Sequence, residues 1–95
     1  MEIASIAHKA LRRFFETGNP RGLDAKSVDR LRKMLFFMAN AGSLDELNVP
    51  PNYGLHRLTG DRDGTWAMTV TKNGRMTFRL DEQQAIVDLN LEDYH

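Results

Sequence analysis

The chain has 95 residues, which is enough for one domain with a single modest hydrophobic core and too few for two. Hydrophobic residues make up 41% of it and charged residues 27%, as expected for a folded, soluble protein rather than a disordered one. The absence of cysteine excludes disulfide bonds, thiolate metal sites and a cysteine nucleophile. We therefore expect a single domain over residues 1–95.

Thirteen basic and thirteen acidic side chains give a net charge of zero, but the two signs are unevenly distributed. Residues 1–33 hold eight Lys and Arg against four Asp and Glu, whereas residues 34–95 hold five against nine. A basic N-terminal third can present a surface to phosphate groups while the total charge stays neutral. Two amphipathic helices with solvated charges give the same distribution, and charge alone favours this simpler interpretation.

No targeting or membrane signal is visible in the sequence. The N-terminus lacks an apolar run of signal-peptide length, and no segment is long and apolar enough to span a membrane. We therefore expect a cytoplasmic protein with no membrane partner.

The chain begins with one extended segment and one helix. Residues 1–6 are half apolar and suit an edge strand or an extended lead-in. Residues 7–17 carry apolar side chains at helical spacing, which predicts the first helix. Gly18 can adopt the left-handed conformation that ends a helix, and Pro20 prevents its continuation.

A second helix is predicted over residues 25–41, with Asp24 as its N-cap. Its apolar side chains share one side of a helical wheel, which suits packing on a core. A stripe of cations lies beside this face and is a candidate contact for phosphate groups, although such stripes are usually solvated surface: Lys26, Arg30 and Lys33. A short turn or helix is predicted at residues 44–47.

After Pro50-Pro51 the apolar pattern changes to a period of two, which predicts a meander of four strands. These strands are predicted at residues 55–58, 65–71, 75–80 and 85–91. Four residues of the last strand are predicted to share its inward face: Ala85, Val87, Leu89 and Leu91. Between the second and third strands, Lys72-Asn73-Gly74 is predicted to form a type I′ hairpin turn.

Two helices followed by four strands predict an α+β fold, with both helices on one face of a small, mostly antiparallel sheet. In the third strand, alternation turns Met76 and Phe78 towards the helices. Arg75 therefore belongs to the opposite face, which is left for a ligand.

Polar residues suited to phosphate chemistry lie at both ends of the strand region and near its middle. They are His56, Arg75, Asp93, Tyr94 and His95. A compact antiparallel sheet can bring them together although they are far apart in sequence. Imidazoles, a guanidinium, a phenol and a carboxylate around one cleft suit phosphodiester cleavage or phosphate binding without a metal.

Each candidate also has a purely structural interpretation. His56 stands beside leucines and suits an ordinary strand residue. Arg75 and Arg79 suit cross-strand ion pairs, and their partners would be Asp88 or Glu92 in the last strand. The terminal residues suit a frayed tail.

Several short motifs occur together over nearly the whole chain. They are His8-Lys9, Phe14-Phe15-Glu16-Thr17-Gly18, Val28-Asp29-Arg30-Leu31, Leu55-His56, Leu58, Gly60-Asp61, Gly64, Trp66, Arg75-Met76-Thr77-Phe78 and Glu92-Asp93-Tyr94-His95. In this combination the chain resembles the HigB-type toxins of the RelE/ParE superfamily, small bacterial proteins encoded beside an antitoxin. The run from Leu55 and the terminal signature are its most specific parts.

The resemblance implies a ribosome-dependent endoribonuclease that cleaves mRNA in the decoding site of the ribosome. The positions that match the family's functional residues are His56, Arg75, Asp93, Tyr94 and His95. RNA supplies its own nucleophile, the 2′-OH, so the protein has to move protons and stabilise charge, and no metal or cofactor is expected. The two histidines would be base and acid in an order that the sequence leaves open, and Arg75 would hold the phosphate.

The resemblance also implies roles for further residues and a set of partners. Asp93 is expected to orient an imidazole, and Tyr94 to donate to a phosphate or stack on a base. The expected partners are a cognate antitoxin of the small helix-turn-helix type, the ribosome and mRNA, with operator DNA contacted only through the antitoxin. Five cations are expected to contact RNA or the ribosome: Arg57, Arg79, Lys26, Arg30 and Lys33.

Two positions depart from the family pattern. Thr59 stands where the family often has a lysine before its Gly-Asp, and neighbouring Arg57 is the candidate substitute. Gly74 stands where an aromatic residue often precedes the arginine. These departures put the rate of cleavage in question more than the class of enzyme.

Two other functions remain open at this point. A ParE-like member of the superfamily would poison DNA gyrase by binding, and would have no use for the proton-transfer residues His56, Tyr94 and His95. A non-catalytic module would bind an antitoxin and repress its own operon, which Thr59 slightly favours. Growth arrest on expression of the chain alone would exclude the non-catalytic module.

Overall fold

The computed structural model describes residues 1–93. The four strands form one antiparallel sheet in the order β1-β2-β3-β4, which confirms the predicted α+β fold. The helices are α1 (Lys9–Thr17), α2 (Val28–Asn40) and α3 (Leu44–Leu47), and the strands are β1 (His56–Arg57), β2 (Trp66–Thr71), β3 (Gly74–Leu80) and β4 (Ile86–Asp93). Within the described residues, no helix is both long enough and apolar enough to cross a membrane.

The first helix has caps at both ends. The Nδ1 atom of His8 accepts a hydrogen bond from the backbone N–H of Leu11 at 3.1 Å, so α1 begins two residues later than predicted. Gly18 adopts a left-handed conformation with φ of 79°, and its N–H donates to the carbonyl of Phe14, as predicted for this glycine. These caps orient α1 so that Leu11 and Phe14 are buried.

The second helix begins later than the sequence pattern indicates. Asp24 accepts a hydrogen bond from the N–H of Lys26, but the turn that it caps is a 3₁₀ turn at Ala25–Ser27. The α-helix starts only at Val28 and ends at Asn40. Lys26 is therefore not on the same regular helix as the other two cations of its predicted stripe.

The N-terminal segment lies along the outer side of β4 in a parallel orientation. Ile3 forms a bridge with Ile86, and Ile6 forms a second bridge with Leu89. The prediction of an edge strand or extended lead-in is confirmed. This segment covers the β4 edge of the sheet.

One prediction about β4 is wrong, because a bulge changes which residues point inward. Asp88 has a φ of 55°, and the register shifts there, so that Leu80 pairs with Ile86 and Arg79 with Val87. Ile86 is fully buried, whereas Val87 lies on the same side as Arg79. Because of this extra residue, the side chains from Ala85 to Leu91 do not alternate strictly between the two faces of the sheet.

The hairpin between β2 and β3 also differs from its prediction. Thr71 pairs directly with Gly74, which leaves a two-residue loop of Lys72 and Asn73. Neither Asn73 nor Gly74 has a positive φ, so the turn is not of type I′ with Asn-Gly at its centre. A register shift between Thr69 and Thr71 takes up one residue and makes Gly74 the first residue of β3.

The two faces of the sheet are covered in different ways. The helix-side face and the helices enclose the main core, whose fully buried members include Leu11, Leu31, Met34, Met38, Met68, Met76, Phe78, Ile86 and Leu89. On the opposite face, here called the open face, Ala67 and Thr77 are buried as well. Other side chains therefore cover part of the open face. The side chains that cover Ala67 and Thr77 form the candidate site.

The bulge in β4 makes a testable distinction between two adjacent aliphatic residues. Ile86→Ala should lower the free energy of unfolding by about 2–4 kcal/mol, because it opens a cavity in the core. Val87→Ala should cost less than about 1 kcal/mol, because this side chain is only partly buried. Urea unfolding of the two variants checks this order, and a larger cost for Val87→Ala would contradict the observed register.

Candidate active site

Strand register places His56 and Arg75 on the same face of the sheet. His56 is opposite Ala67, Ala67 is opposite Thr77, and Arg75 precedes Thr77 by two residues. Directly paired residues share a face, as do residues two apart along a strand. From the usual strand spacing and rise, the Cα atoms of His56 and Arg75 are roughly 12 Å apart. Side chains at this separation can flank one phosphodiester group.

His56 is an exposed residue whose ring is oriented by the backbone. Its Nδ1 atom lies 2.8 Å from the carbonyl oxygen of Gly54. A carbonyl can only accept, so a hydrogen bond here requires Nδ1 to carry the proton, which leaves Nε2 of the neutral ring as the acceptor. This geometry suits an imidazole that takes a proton through Nε2.

Arg75 is mostly buried and pairs with a carboxylate on the neighbouring strand. Its side chain is 20% exposed, and its Nη2 atom lies 3.3 Å from Oε1 of Glu92, its cross-strand partner. The Arg75–Glu92 ion pair that strand alternation predicts is therefore present. A guanidinium has five N–H donors, so this ion pair and phosphate binding are compatible functions.

Glu92 is the centre of a polar network that joins three parts of the chain. Its carboxylate accepts a bidentate pair of hydrogen bonds from the guanidinium of Arg62, at 2.8 and 2.6 Å. It also accepts a hydrogen bond from Arg75. The hydroxyl of Thr77 donates to Oε2 of Glu92 at 2.7 Å. Arg62 is not among the site residues that the sequence predicts, because no local pattern links a turn residue to a strand residue thirty positions later.

The network changes the acidity of Glu92. Its pKa is lowered from the ordinary value of 4.5 to about 2, chiefly by the hydrogen bonds from Arg62 and against the opposing effect of burial. Thr77 and Arg75 lower this pKa further. The carboxylate therefore stays ionised at neutral pH and holds the guanidinium groups of Arg62 and Arg75 on the open face.

Asp93 is not brought next to Arg75. It pairs with Gly74 at the end of β4, one residue beyond Glu92, and alternation turns it towards the helix side. There it borders a small cleft with Asp24 and Ser27, at the start of the second helical region. Tyr94 and His95, the other terminal candidates, lie outside the described residues.

Of the cations expected to contact RNA, Arg79 lies in β3 beside the Glu92 network. It borders a cleft of about 240 Å³ on the open face together with Arg62, Thr77 and Glu92. Its Nη1 atom lies 3.4 Å from the hydroxyl of Thr65. Arg75 does not border this cleft, whereas two other arginines do: Arg62 and Arg79.

Arg57 points away from this site. It is opposite Trp66 in the β1–β2 pair and so lies on the side opposite His56. Its Nη2 atom forms an ion pair with Asp63 at 3.3 Å, and both side chains are more than half exposed. The structure therefore places Arg57 on the face of the sheet opposite His56 and Arg75.

The remaining cations are on or near α2. Arg30 donates to the backbone carbonyl of Thr69 at 3.3 Å and lies over the ring of Tyr53. Lys33 forms an exposed ion pair with Asp29, and Lys26 is exposed in the preceding turn. Such exposed pairs contribute little to stability, which leaves these side chains accessible to a partner.

Comparison with known proteins gives three findings that agree. A family model described as the RelE-like toxin of the type II toxin–antitoxin system HigB matches residues 4–95. The endoribonuclease HigB of Proteus vulgaris is 43% identical over 93 residues, which cover 98% of this chain and 99% of that protein. A YoeB/ParE toxin from Agrobacterium tumefaciens has a similar fold over the full length of both chains, with a TM-score of 0.57 and 16% identity.

The low pKa of Glu92 predicts a specific loss of stability in acid. The pKa of Glu92 is lower in the folded than in the unfolded chain, so the ionised carboxylate stabilises the folded state. This stabilisation is present above about pH 4.5 and is lost as the pH falls towards 2. We expect a contribution of about 1–2 kcal/mol, since Arg62 is 42% exposed and solvent screens the pair. Urea unfolding at pH 7 and pH 3 should show a smaller pH dependence for Glu92→Gln than for the native chain. Asp63→Asn, which removes an exposed pair, is the control, and equal pH dependence in Glu92→Gln and the native chain would contradict the expectation.

Proposed function

The chain belongs to the HigB-like toxins, the RelE-like toxins of type II toxin–antitoxin systems, and from this premise we propose that it cleaves mRNA on the ribosome and so inhibits translation. Endoribonuclease activity is supported by the name of its Proteus relative. Dependence on the ribosome, action in the cytoplasm and a single toxin domain over residues 1–95 are further parts of the proposal.

The observation that carries the proposal is the placement of His56 and Arg75 on one face of the sheet. The oriented, exposed imidazole of His56 suits proton transfer at a solvent-accessible substrate. Arg75 is held in position by Glu92, so its guanidinium is preorganised for a charge that develops on a phosphate. A preorganised cation stabilises a transition state without the cost of reordering it during the reaction.

The proposed reaction follows from the chemistry of RNA. A base removes the proton of the 2′-OH, the 2′-oxygen bonds to the adjacent phosphorus, and the bond from phosphorus to the 5′-oxygen breaks. An acid gives a proton to the departing 5′-oxygen, so the products are a 2′,3′-cyclic phosphate and a 5′-OH. His56 and His95 are the proposed proton-transfer groups in either order, and Arg75 binds the phosphate oxygens.

The C-terminal residues complete the proposal. Because Asp93 lies on the helix side of β4, we propose that it orients a neighbouring group instead of contacting the phosphate. Tyr94 is proposed to donate to a phosphate or to stack on a base. Arg79 is proposed as a further RNA contact, since it borders the open-face cleft.

The proposed partners follow from the family. A type II toxin has a cognate antitoxin, and we propose that it is a small helix-turn-helix protein that alone contacts operator DNA. Ribosome contacts are proposed for four exposed cations. One is Arg57, and the other three are on or near α2: Lys26, Arg30 and Lys33. Their exposure and weak ion pairs support this role.

Both histidines should be required for cleavage. His56→Gln and His95→Ala should each lower the rate of mRNA cleavage on purified ribosomes by about 100- to 10,000-fold, the usual contribution of an acid–base group. Replacing the exposed His56 should change stability by less than about 0.5 kcal/mol. Lys72→Gln, in the exposed hairpin loop, is the matched control and should retain full activity. Native-like rates in a folded His56→Gln variant would remove His56 from the proposal.

Cleavage should not require a transition metal. RNA supplies the nucleophile, and the proposed residues supply proton transfer and positive charge, so no step needs a metal-bound water. Selective chelation of transition metals, with magnesium held constant to keep the ribosome intact, should leave the cleavage rate unchanged. Loss of activity that zinc or manganese restores would overturn the mechanism.

A further inference from the structure

The turn that leads into β1, Asn52–Gly54, holds the imidazole of His56 through a backbone carbonyl. The Nδ1 atom of His56 lies 2.8 Å from the carbonyl oxygen of Gly54, which is two residues earlier in the chain. His56 is an exposed residue, so the orientation of its ring depends on where this carbonyl is held. Any contact that fixes the turn therefore also orients the imidazole.

The backbone of this turn has positive φ at three consecutive residues. The φ angles are 25° at Asn52, 51° at Tyr53 and 67° at Gly54. Glycine and asparagine adopt positive φ readily, whereas tyrosine does so only at a conformational cost. Contacts of the Tyr53 side chain with the rest of the protein must offset this cost, because the local backbone disfavours the conformation.

The ring of Tyr53 packs against two side chains of α2. Its centre lies 5.5 Å from that of Phe37 with the ring planes at 70°, which is the edge-to-face arrangement that aromatic pairs favour. The guanidinium of Arg30 lies over the Tyr53 ring, at 5.1 Å from its centre. Arg30 also donates to the backbone carbonyl of Thr69 in β2 at 3.3 Å. The ring therefore joins the turn to α2, and Arg30 joins this helix to the sheet.

Gly54 packs closely against the sheet beside this ring. A Cβ atom at position 54 would lie 3.3 Å from the hydroxyl oxygen of Thr69, and the positive φ would strain any side chain placed there. The carbonyl that holds His56 therefore belongs to a residue that is confined between β2 and the anchored ring of Tyr53. This confinement fixes the position of the hydrogen-bond acceptor relative to the sheet.

We propose that Tyr53 is a positioning residue for His56, and that its ring holds the Gly54 carbonyl where it keeps a proton on Nδ1 of His56. In water, a free neutral histidine side chain favours the tautomer with the proton on Nε2, so this hydrogen bond selects the less common form. Nε2 is then the atom that exchanges a proton with the RNA, whether His56 acts as base or as acid. The proposal rests on the proposed catalytic role of His56 and assigns no RNA contact to Tyr53.

The tautomer of His56 tests the proposal without a cleavage assay, because NMR of the imidazole nitrogens distinguishes the two forms of the neutral ring. The native chain should carry the proton on Nδ1, and so should Tyr53→Phe, which keeps the ring contacts. Tyr53→Gly should shift the population towards the Nε2 form, since glycine permits the turn but removes both ring contacts. Phe36→Ala removes an exposed ring from α2 and, as the matched control, should leave the tautomer unchanged. A native tautomer in Tyr53→Gly would overturn the proposal.

Cleavage rates test whether the positioning matters for the reaction. In single turnovers on purified ribosomes, Tyr53→Gly should lower the rate about 10- to 100-fold, as expected when a reacting group is misplaced, and Tyr53→Phe should stay within about twofold. In a His56→Gln background, Tyr53→Gly should change the rate by less than about twofold, because the group that Tyr53 positions is absent. A merely structural role of Tyr53 would lower the rate by the same factor in both backgrounds, and that result would overturn the proposal.

Folding of each variant is checked by circular dichroism. Tyr53→Asn replaces Tyr53→Gly if the glycine variant fails to fold, since asparagine also tolerates positive φ. The two readouts separate this proposal from the proposed function. Native-like cleavage by a folded His56→Gln variant would overturn the catalytic role of His56, and the tautomers would still support or overturn the placement of its ring by Tyr53.

Discussion

The candidate site depends on one carboxylate, that of Glu92. It receives hydrogen bonds from Arg62 in the turn after β1 and from Arg75 and Thr77 in β3. Without this negative charge, two neighbouring guanidinium groups on a partly buried surface would repel each other. With it, they are held in defined positions, and the loop that carries Arg62 is joined to the end of the last strand. Organisation of the open face therefore follows from one partly buried negative charge among several donors.

The same carboxylate anchors the last described residues of the chain to the sheet. Glu92 is held by its side chain and, with Asp93, by pairing to β3. Ordering a segment costs conformational entropy, and the hydrogen bonds of the Glu92 network offset part of that cost at this end of β4.

The two sides of the sheet present different surfaces. The sheet contributes the open face, where polar side chains from three strands and one turn are gathered. The helices enclose the core on the other side and leave Phe15 and Phe36 exposed on their outer surface. The polar network and these exposed aromatic side chains therefore lie on opposite sides of the sheet.

The sequence by itself determined the element types, the α+β class and the family, because these depend on local periodicity, capping residues and short motifs. It placed Arg75 opposite the core face of β3 and identified the cap at Gly18, both of which are local properties. Only the tertiary structure decided the bulge at Asp88, the turn at Gly74 and the pairing of Arg62 with Glu92. These features depend on strand register and on contacts between distant residues, and a one-residue shift in register reverses which side chains face the core.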